Sequence, residues 1–425
     1  MNLQIFTDLS RYKKSVLPNG VKIITETIPY VKSFSLGFWF NVGSRNEKPE
    51  NNGISHVIEH MLFKGTTTRS AKKIAEEVEA CGGYLNAFTS KEHTCYYGRG
   101  LEDHLETTFD VLSDMIQNPV FKTTELKKES KVIIDELNDI EDSPEELIFD
   151  KFEENLYAGI SLAQPVIGTA QNISSFTPKD LFDFLKLNYC SNKLTIAASG
   201  SITHEEILRL TKKYLTNLSN NFETKRKEKI TEKNNSINII EKEIQQVHVI
   251  IGKSTYGFKE QERLKLLLLS QILGEGSSSR LFQTIRERNG IAYQINTFLN
   301  SFYDISSFGV YFSTNFKMVD KALNLVFKEF KKLKEKKISE KELSRAKESF
   351  KGGLLLSLEN TSNRMIRMAQ SELYFGRVVP IDEVIKKIDS YTKEDILQLA
   401  NKVLDEGSFI KLIIKSKDAV LKTAA

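Results

Sequence analysis

Hydrophobic and polar positions along this chain fall into short β-like runs and longer helical stripes. Residues 21–26 and 34–42 are β-branched or aromatic with partial alternation, and Pro18-Asn19-Gly20 supplies a turn before the first run. Residues 194–200 repeat that style. Between these runs the period changes. Over residues 125–137, Leu126, Ile133 and Leu137 share one stripe of a helix, while Glu129 and Glu136, seven apart, share another face. Residues 264–273 read as a buried helix. The lysines of residues 328–337 form the solvated face of a helix whose Phe327, Phe330 and Leu333 point inward. Thr203, ahead of His204-Glu205-Glu206, is a helix cap, so His204 is a first-turn residue and not a ligand.

The pattern repeats. A polar run over residues 220–235 has little to bury and reads as a linker, dividing the chain into residues 1–220, a linker at 221–236, and residues 237–425. Each half follows the order strands, helix, Gly-rich turn, strands, helices, which predicts an α+β fold of two related domains in tandem. Gly65 corresponds to Gly274, and Glu125-Leu126-Lys127 to Glu342-Leu343-Ser344.

Composition narrows the function classes. Sixty basic and 56 acidic side chains leave a formal charge of +4, so no single-sign field argues for nucleic acid or a membrane surface. No apolar stretch has the length to span a bilayer. Cys81, Cys95 and Cys190 form no closely spaced metal pair, and an odd number cannot pair completely, which predicts a reducing, cytoplasmic compartment. The first ten residues have no apolar core behind an early positive charge, so no signal peptide is expected.

The candidate chemistry lies in His56-Val57-Ile58-Glu59-His60. On a helix, two imidazoles four residues apart share a face and can hold one metal ion, with Glu59 beside them. Neutral imidazoles suit Zn²⁺, a third protein ligand leaves a position for water, and a carboxylate outside the ligand set can take that water's proton. The helix at 125–137 offers the third ligand. Two turns separate Glu129 from Glu136, so one can bind the metal while the other hydrogen-bonds a histidine. The remaining histidines, His93, His104 and His248, have no partner at metal spacing and are read as structural.

With Glu136 set in Val132-Ile133-Ile134-Asp135-Glu136, this motif resembles the pitrilysin/insulysin/mitochondrial processing peptidase family of zinc metallopeptidases, the inverzincins with an H-x-x-E-H order. Leu17-Pro18-Asn19-Gly20, Gly43-Ser44-Arg45, His60-Met61-Leu62-Phe63-Lys64-Gly65-Thr66 and Gly82-Gly83-Tyr84-Leu85-Asn86-Ala87-Phe88-Thr89 are similar to its N-terminal half. Ser278-Ser279-Arg280-Leu281-Phe282 and the segment from Ile285 to Tyr293 are similar to its C-terminal half. Residues 160–169 depart from the pattern, although Pro165, Gly168 and Thr169 remain.

The resemblance implies one zinc per chain on His56, His60 and Glu136, Glu59 as general base, Glu129 behind a ligand, and Arg286 and Tyr293 assisting. It also implies two homologous α/β-sandwich-like domains forming half of a clamshell, a homodimer, and a peptide or unfolded substrate added as a strand along Tyr84, Leu85, Asn86 and Ala87. Under the repeat, His56 and His60 fall on Leu264 and Leu268, and Glu136 falls on Gly353, so one metal site is expected rather than two. The expected activity is zinc-dependent hydrolysis of peptides or unfolded, presequence-like segments inside a dimeric chamber. The alternative is a partner or scaffold subunit of a heterodimeric processing peptidase.

Overall fold

A computed structural model describes residues 12–220 and 236–418. The first ten residues, and the expected linker apart from Ser236, lie outside the described residues. The chain forms two compact units, and their division differs from the consecutive one expected from the sequence. One unit takes the described residues up to Asp139, those from Gln164 to 220, and Ser357–Pro380. The other takes Ile140–Ala163, the described residues from 236 to Leu356, and those from Ile381 to 418.

The first unit is built on six strands, β1 (Tyr12–Val16), β2 (Lys22–Thr27), β3 (Ser33–Phe40), β4 (Tyr84–Thr89), β5 (Thr94–Leu101) and β6 (Leu194–Gly200). Their order is β1-β2-β6-β3-β5-β4, antiparallel except for β2 against β6. Its helices are α1 (Ile54–Leu62), α2 (Ala71–Glu79), α3 (Leu105–Gln117) and most of α4 (Thr123–Asp142). After α5 (Pro144–Leu156), which belongs to the other unit, come α6 (Ala170–Ser175), α7 (Pro178–Asn188) and α8 (His204–Tyr214).

Central strand β3 is buried at seven of eight positions because helices cover both its faces. On one face Phe38 meets Phe109 of α3 edge-on, with ring centroids 5.1 Å apart, and Phe40 meets Tyr189 just beyond α7. The alternate residues, Ser35, Gly37 and Trp39, point the other way.

Sheet two holds β7 (Ile237–Glu241), β8 (Val247–Tyr256), β9 (Ala292–Ser301), β10 (Ile305–Thr314) and β11 (Ile410–Lys415), in the order β7-β11-β8-β10-β9. Helices α9 (Glu262–Leu273), α10 (Val319–Glu335), α11 (Glu340–Ser357), α13 (Ile381–Ser390) and α14 (Lys393–Val403) belong with it, while α12 (Thr361–Phe375) belongs to the first unit. The expected buried helix at 264–273 is α9, and Phe330 and Leu333 of α10 are buried as read.

The exchange of helices between the two compact units has a packing cause. Helix α12, far along the sequence, lays Met365, Met368 and Ala369 against Ile24, Trp39, Cys95 and Ala197 of the first sheet. Trp39 Nε1 donates to Met365 Sδ at 3.3 Å, and Ser35 Oγ bonds Thr361 and Ser362. Reciprocally, α5 lays Ile148, Phe152 and Leu156 on Ile250 and Leu412 of the second sheet. In each case a glycine on the strand preceding the first long helix makes room. A Cβ on Gly37 would stand 2.7 Å from Met365 Sδ, and one on Gly252 would collide with the Phe152 ring. No helix among the described residues is long and apolar enough to cross a membrane.

Candidate metal centre

Helix α1 presents the motif, and its start is tightly specified. Gly53 sits at φ +97° as the N-cap, packed on Gly168 at φ +88°; a Cβ on Gly53 would lie 2.7 Å from Ile167 O. Only glycine combines that backbone angle with so close an approach, which accounts for Gly168 persisting where the surrounding segment departs from the family. The first N–H groups of a helix lack intrahelical acceptors. Here the buried Glu47 carboxylate supplies them, accepting from Gly53 N at 2.7 Å and Ser55 N at 2.8 Å, and also from Asn52 Nδ2 at 3.0 Å. Burial raises the Glu47 pKa and these bonds lower it.

Val57, Ile58, Met61 and Leu62 bury the inner face of α1, which turns His56 and His60 outward together with ring centroids 4.7 Å apart. Helix α4 brings Glu136 across them. Its Oε1 lies 3.9 Å from His56 Nε2 and its Oε2 3.7 Å from His60 Nε2. Ligand atoms of all three residues lie within 4.8 Å of one another, the one such group of three or more found among the described residues. Tetrahedral zinc at its usual bond lengths needs ligand atoms roughly 3.3 Å apart, so small rotamer adjustments suffice.

His56 is held neutral, its pKa lowered to about 4 by burial and then by the nearby charge of His60. Neither of its ring nitrogens is satisfied among the described residues: Nδ1 is buried without a partner there, and Nε2 stands beyond hydrogen-bond reach of Glu136. His204 is the contrast, with Nε2 on Ser15 Oγ at 2.8 Å and Nδ1 on Thr25 Oγ1 at 2.9 Å, as a structural histidine should be. Thr203 caps its helix as read. His93 is buried among Trp39, Phe88 and Tyr374. Two neutral imidazoles and a carboxylate fit zinc.

Around the three candidate ligands stand residues that position them. Glu129, one face of α4 with Glu136, places Oε2 3.2 Å from His60 Nδ1, which directs Nε2 of that ring toward Glu136. Lys64 Nζ pairs with the other Glu129 oxygen at 2.7 Å. Glu59 lies outside the ligand group; Thr89 Oγ1 donates to its Oε2 at 2.5 Å. Burial raises the Glu59 pKa, and the Thr89 bond and His60 oppose that rise. Glu129→Gln is expected to lower zinc affinity about 10–100-fold, the usual cost of losing such a support; a competition titration against a chelator measures it, and an unchanged affinity would remove Glu129 from this role.

Among the described residues strand β4 is an edge of its sheet, paired only with β5. Tyr84, Leu85, Asn86 and Ala87 therefore lie on an open edge, and the strand's last residue is the Thr89 that touches Glu59. In the other unit, Arg286 lies in a turn of wide, π-type helix, Phe282–Glu287, and Tyr293 on β9, also an edge strand. Arg286 Cζ stacks 4.6 Å from the Tyr293 ring centroid and 4.8 Å from that of Phe282. Tyr293 is 77% exposed, so its hydroxyl is open to a ligand.

Residues 22–170 match the family described as Insulinase (Peptidase family M16), and residues 175–350 match the one described as Peptidase M16 inactive domain. The chain belongs to the M16 peptidase family. The first M16 segment contains His56, Glu59, His60, Glu129 and Glu136; the second contains Arg286 and Tyr293. In the second, helix α9 carries Leu264 and Leu268 where the repeat aligns the two histidines.

Among its M16 relatives, a Bacillus subtilis protein named as an uncharacterized zinc protease, YmxG, is 35% identical over 95% of this chain and 98% of its own length. A Rickettsia felis protein of the same description is 35% identical over 92% of this chain and 94% of its own. The fold matches the crystal structure of a Helicobacter pylori protease, TM-score 0.88 at 22% identity, covering 95% of this chain and 99% of that one. It also matches a Pseudomonas fluorescens M16 inactive domain, TM-score 0.90 at 19% identity, covering 96% and 99%.

Sequence reasoning did not assign roles to Glu47, Lys64 or Thr89. Lys64 carried a signal, since it follows His60 by one helical turn. Thr89 ends the edge strand already singled out. Glu47 carried none, because its partners become neighbours only when the chain turns back through the 3₁₀ turn at Pro49–Asn51.

Proposed function

We propose that this protein is a zinc-dependent endopeptidase acting on extended peptides and unfolded segments. The observation that carries the reading is the convergence of His56, His60 and Glu136 around one point, with the hydrogen-bonded carboxylate of Glu59 outside the ligand set. Zinc held there would supply a Lewis acid for the scissile carbonyl and lower the pKa of a water.

The protein's own groups then divide the work. Thr89 occupies Glu59 Oε2, which leaves Oε1 to take the proton as the water oxygen bonds to the carbonyl carbon. Glu59 returns that proton to the leaving nitrogen as the C–N bond breaks. Glu129 and Lys64 keep His60 oriented throughout. An extended peptide adds to the open edge of β4 by main-chain hydrogen bonds, which favours flexible chains over folded ones because a folded substrate has its own backbone groups engaged. The reading assigns Arg286 and Tyr293 to holding substrate or the developing oxyanion, supported by the exposed tyrosine and its stacked guanidinium. It includes a homodimer, which family resemblance implies.

The test joins metal, activity and mass in one preparation. Purified protein should contain about one zinc per chain, cut unstructured peptides, stop on chelation, and sediment as a dimer. Glu136→Gln should lose metal and hydrolysis together. A Glu136→Gln protein that keeps its zinc, or chelation without effect, would overturn the reading.

A further inference from the structure

A cleft lies in the unit that carries none of the three candidate zinc ligands. Residues 278–288, with α10 and α11, enclose a cleft of about 500 Å³ lined by Arg280, Arg288, Lys332 and Arg345 together with Glu329 and Glu342. Four cationic side chains face two carboxylates there, and both carboxylates are already engaged. Glu342 takes a two-pronged pair from Arg280, Nε to Oε1 at 2.7 Å and Nη2 to Oε2 at 2.9 Å. Glu329 accepts from Lys332 Nζ at 2.5 Å and Thr284 Oγ1 at 3.2 Å.

The surplus charge is on Arg288 and Arg345. Arg345 spends one N–H on the Ser278 carbonyl at 3.2 Å, and the Arg288 side chain has no hydrogen-bond or ion-pair partner among the described residues. Each guanidinium carries five donors in a planar fork. The lining also includes Ser279, which is 2% exposed and whose hydroxyl has no partner among the described residues. A buried hydroxyl left unpaired costs free energy that a ligand oxygen would recover. A cleft lined in excess by one charge sign concentrates the field and attracts the opposite ion.

We infer that this cleft is a binding site for an oxyanion with forked acceptors, a phosphate group or a carboxylate, held by Arg288 and Arg345. Arginine pairs with both groups through two parallel N–H bonds, and Arg288, with no side-chain partner among the described residues, and Arg345, with one N–H on the Ser278 carbonyl, keep donors for such a fork in one recess. The inference does not depend on the zinc reading, because every residue it uses lies in the other unit.

The experiment is calorimetric titration of the full-length protein with inorganic phosphate and, separately, with acetate, at constant ionic strength set by chloride. Saturable binding of one equivalent is expected from at least one of them: phosphate alone marks a phosphate-bearing ligand, and acetate as well marks a carboxylate. Both arginines are exposed, so Arg288→Gln/Arg345→Gln should fold with an unchanged melting temperature and bind at least about tenfold more weakly. Absence of saturable binding by either ion, or binding undiminished in the double variant, overturns the inference.

Discussion

Glu59→Gln is expected to keep its zinc and lose about a hundred- to ten-thousand-fold in kcat, the span that a positioned general base contributes. Glutamine preserves the shape and still accepts from Thr89, but it cannot take a proton from water. Metal content should not move, because Glu59 lies outside the group formed by His56, His60 and Glu136. Metal analysis beside single-turnover peptide cleavage separates the two effects. Within the same series, Thr89→Val should lower kcat with little change in KM, and Thr89→Ser should restore it, since the hydroxyl and not the methyl group holds Oε2. Full activity in Glu59→Gln would show that another group moves the proton.

Residues 1–220 expressed alone are expected not to fold, although they contain every proposed zinc ligand. That fragment lacks α12, whose Met365, Met368 and Ala369 cover Trp39, Ile24, Cys95 and Ala197. Losing each buried methionine contact costs roughly 2–5 kcal/mol, and two such losses approach the 5–15 kcal/mol by which ordinary domains are stable. Trp39 reports the outcome directly, being the only tryptophan and fully buried. Its emission should shift to the red in the fragment relative to the whole chain, and denaturant unfolding should lose its cooperativity. Fusing residues 357–380 to the fragment through a flexible linker should bring back buried-tryptophan emission. A cooperative transition with blue emission in the bare fragment would mean that α12 is dispensable to the sheet.

Much of the site was legible because its key relations are local. His56, Glu59 and His60 lie within two helical turns, and Glu129 and Glu136 lie two turns apart, so helix periodicity alone puts them on shared faces. The cap at Thr203 was legible for the same reason, since capping chemistry acts over a few residues, whereas strand β4 was expected only from the family resemblance. The supports were less so. Glu47 reaches the start of α1 through a turn, Lys64 matters only once α4 lies beside it, and Thr89 acquires a role only when β4 ends at Glu59.

By itself, the sequence determined the element types and the duplication, which follow from side-chain identity at helical or strand spacing, and it offered His56, His60 and a glutamate of residues 125–137 as candidate metal ligands, with Glu136 taken from the family resemblance. Tertiary structure alone decided which helix covers which sheet. The apolar stripes of α5 and α12 state that each must be buried, but hydrophobic burial is non-directional and names no partner. Gly37 and Gly252, invisible as anything but interruptions in their strands, admit those helices, and close packing of Met365 and Phe152 against them sends each to the sheet on the other side of the repeat.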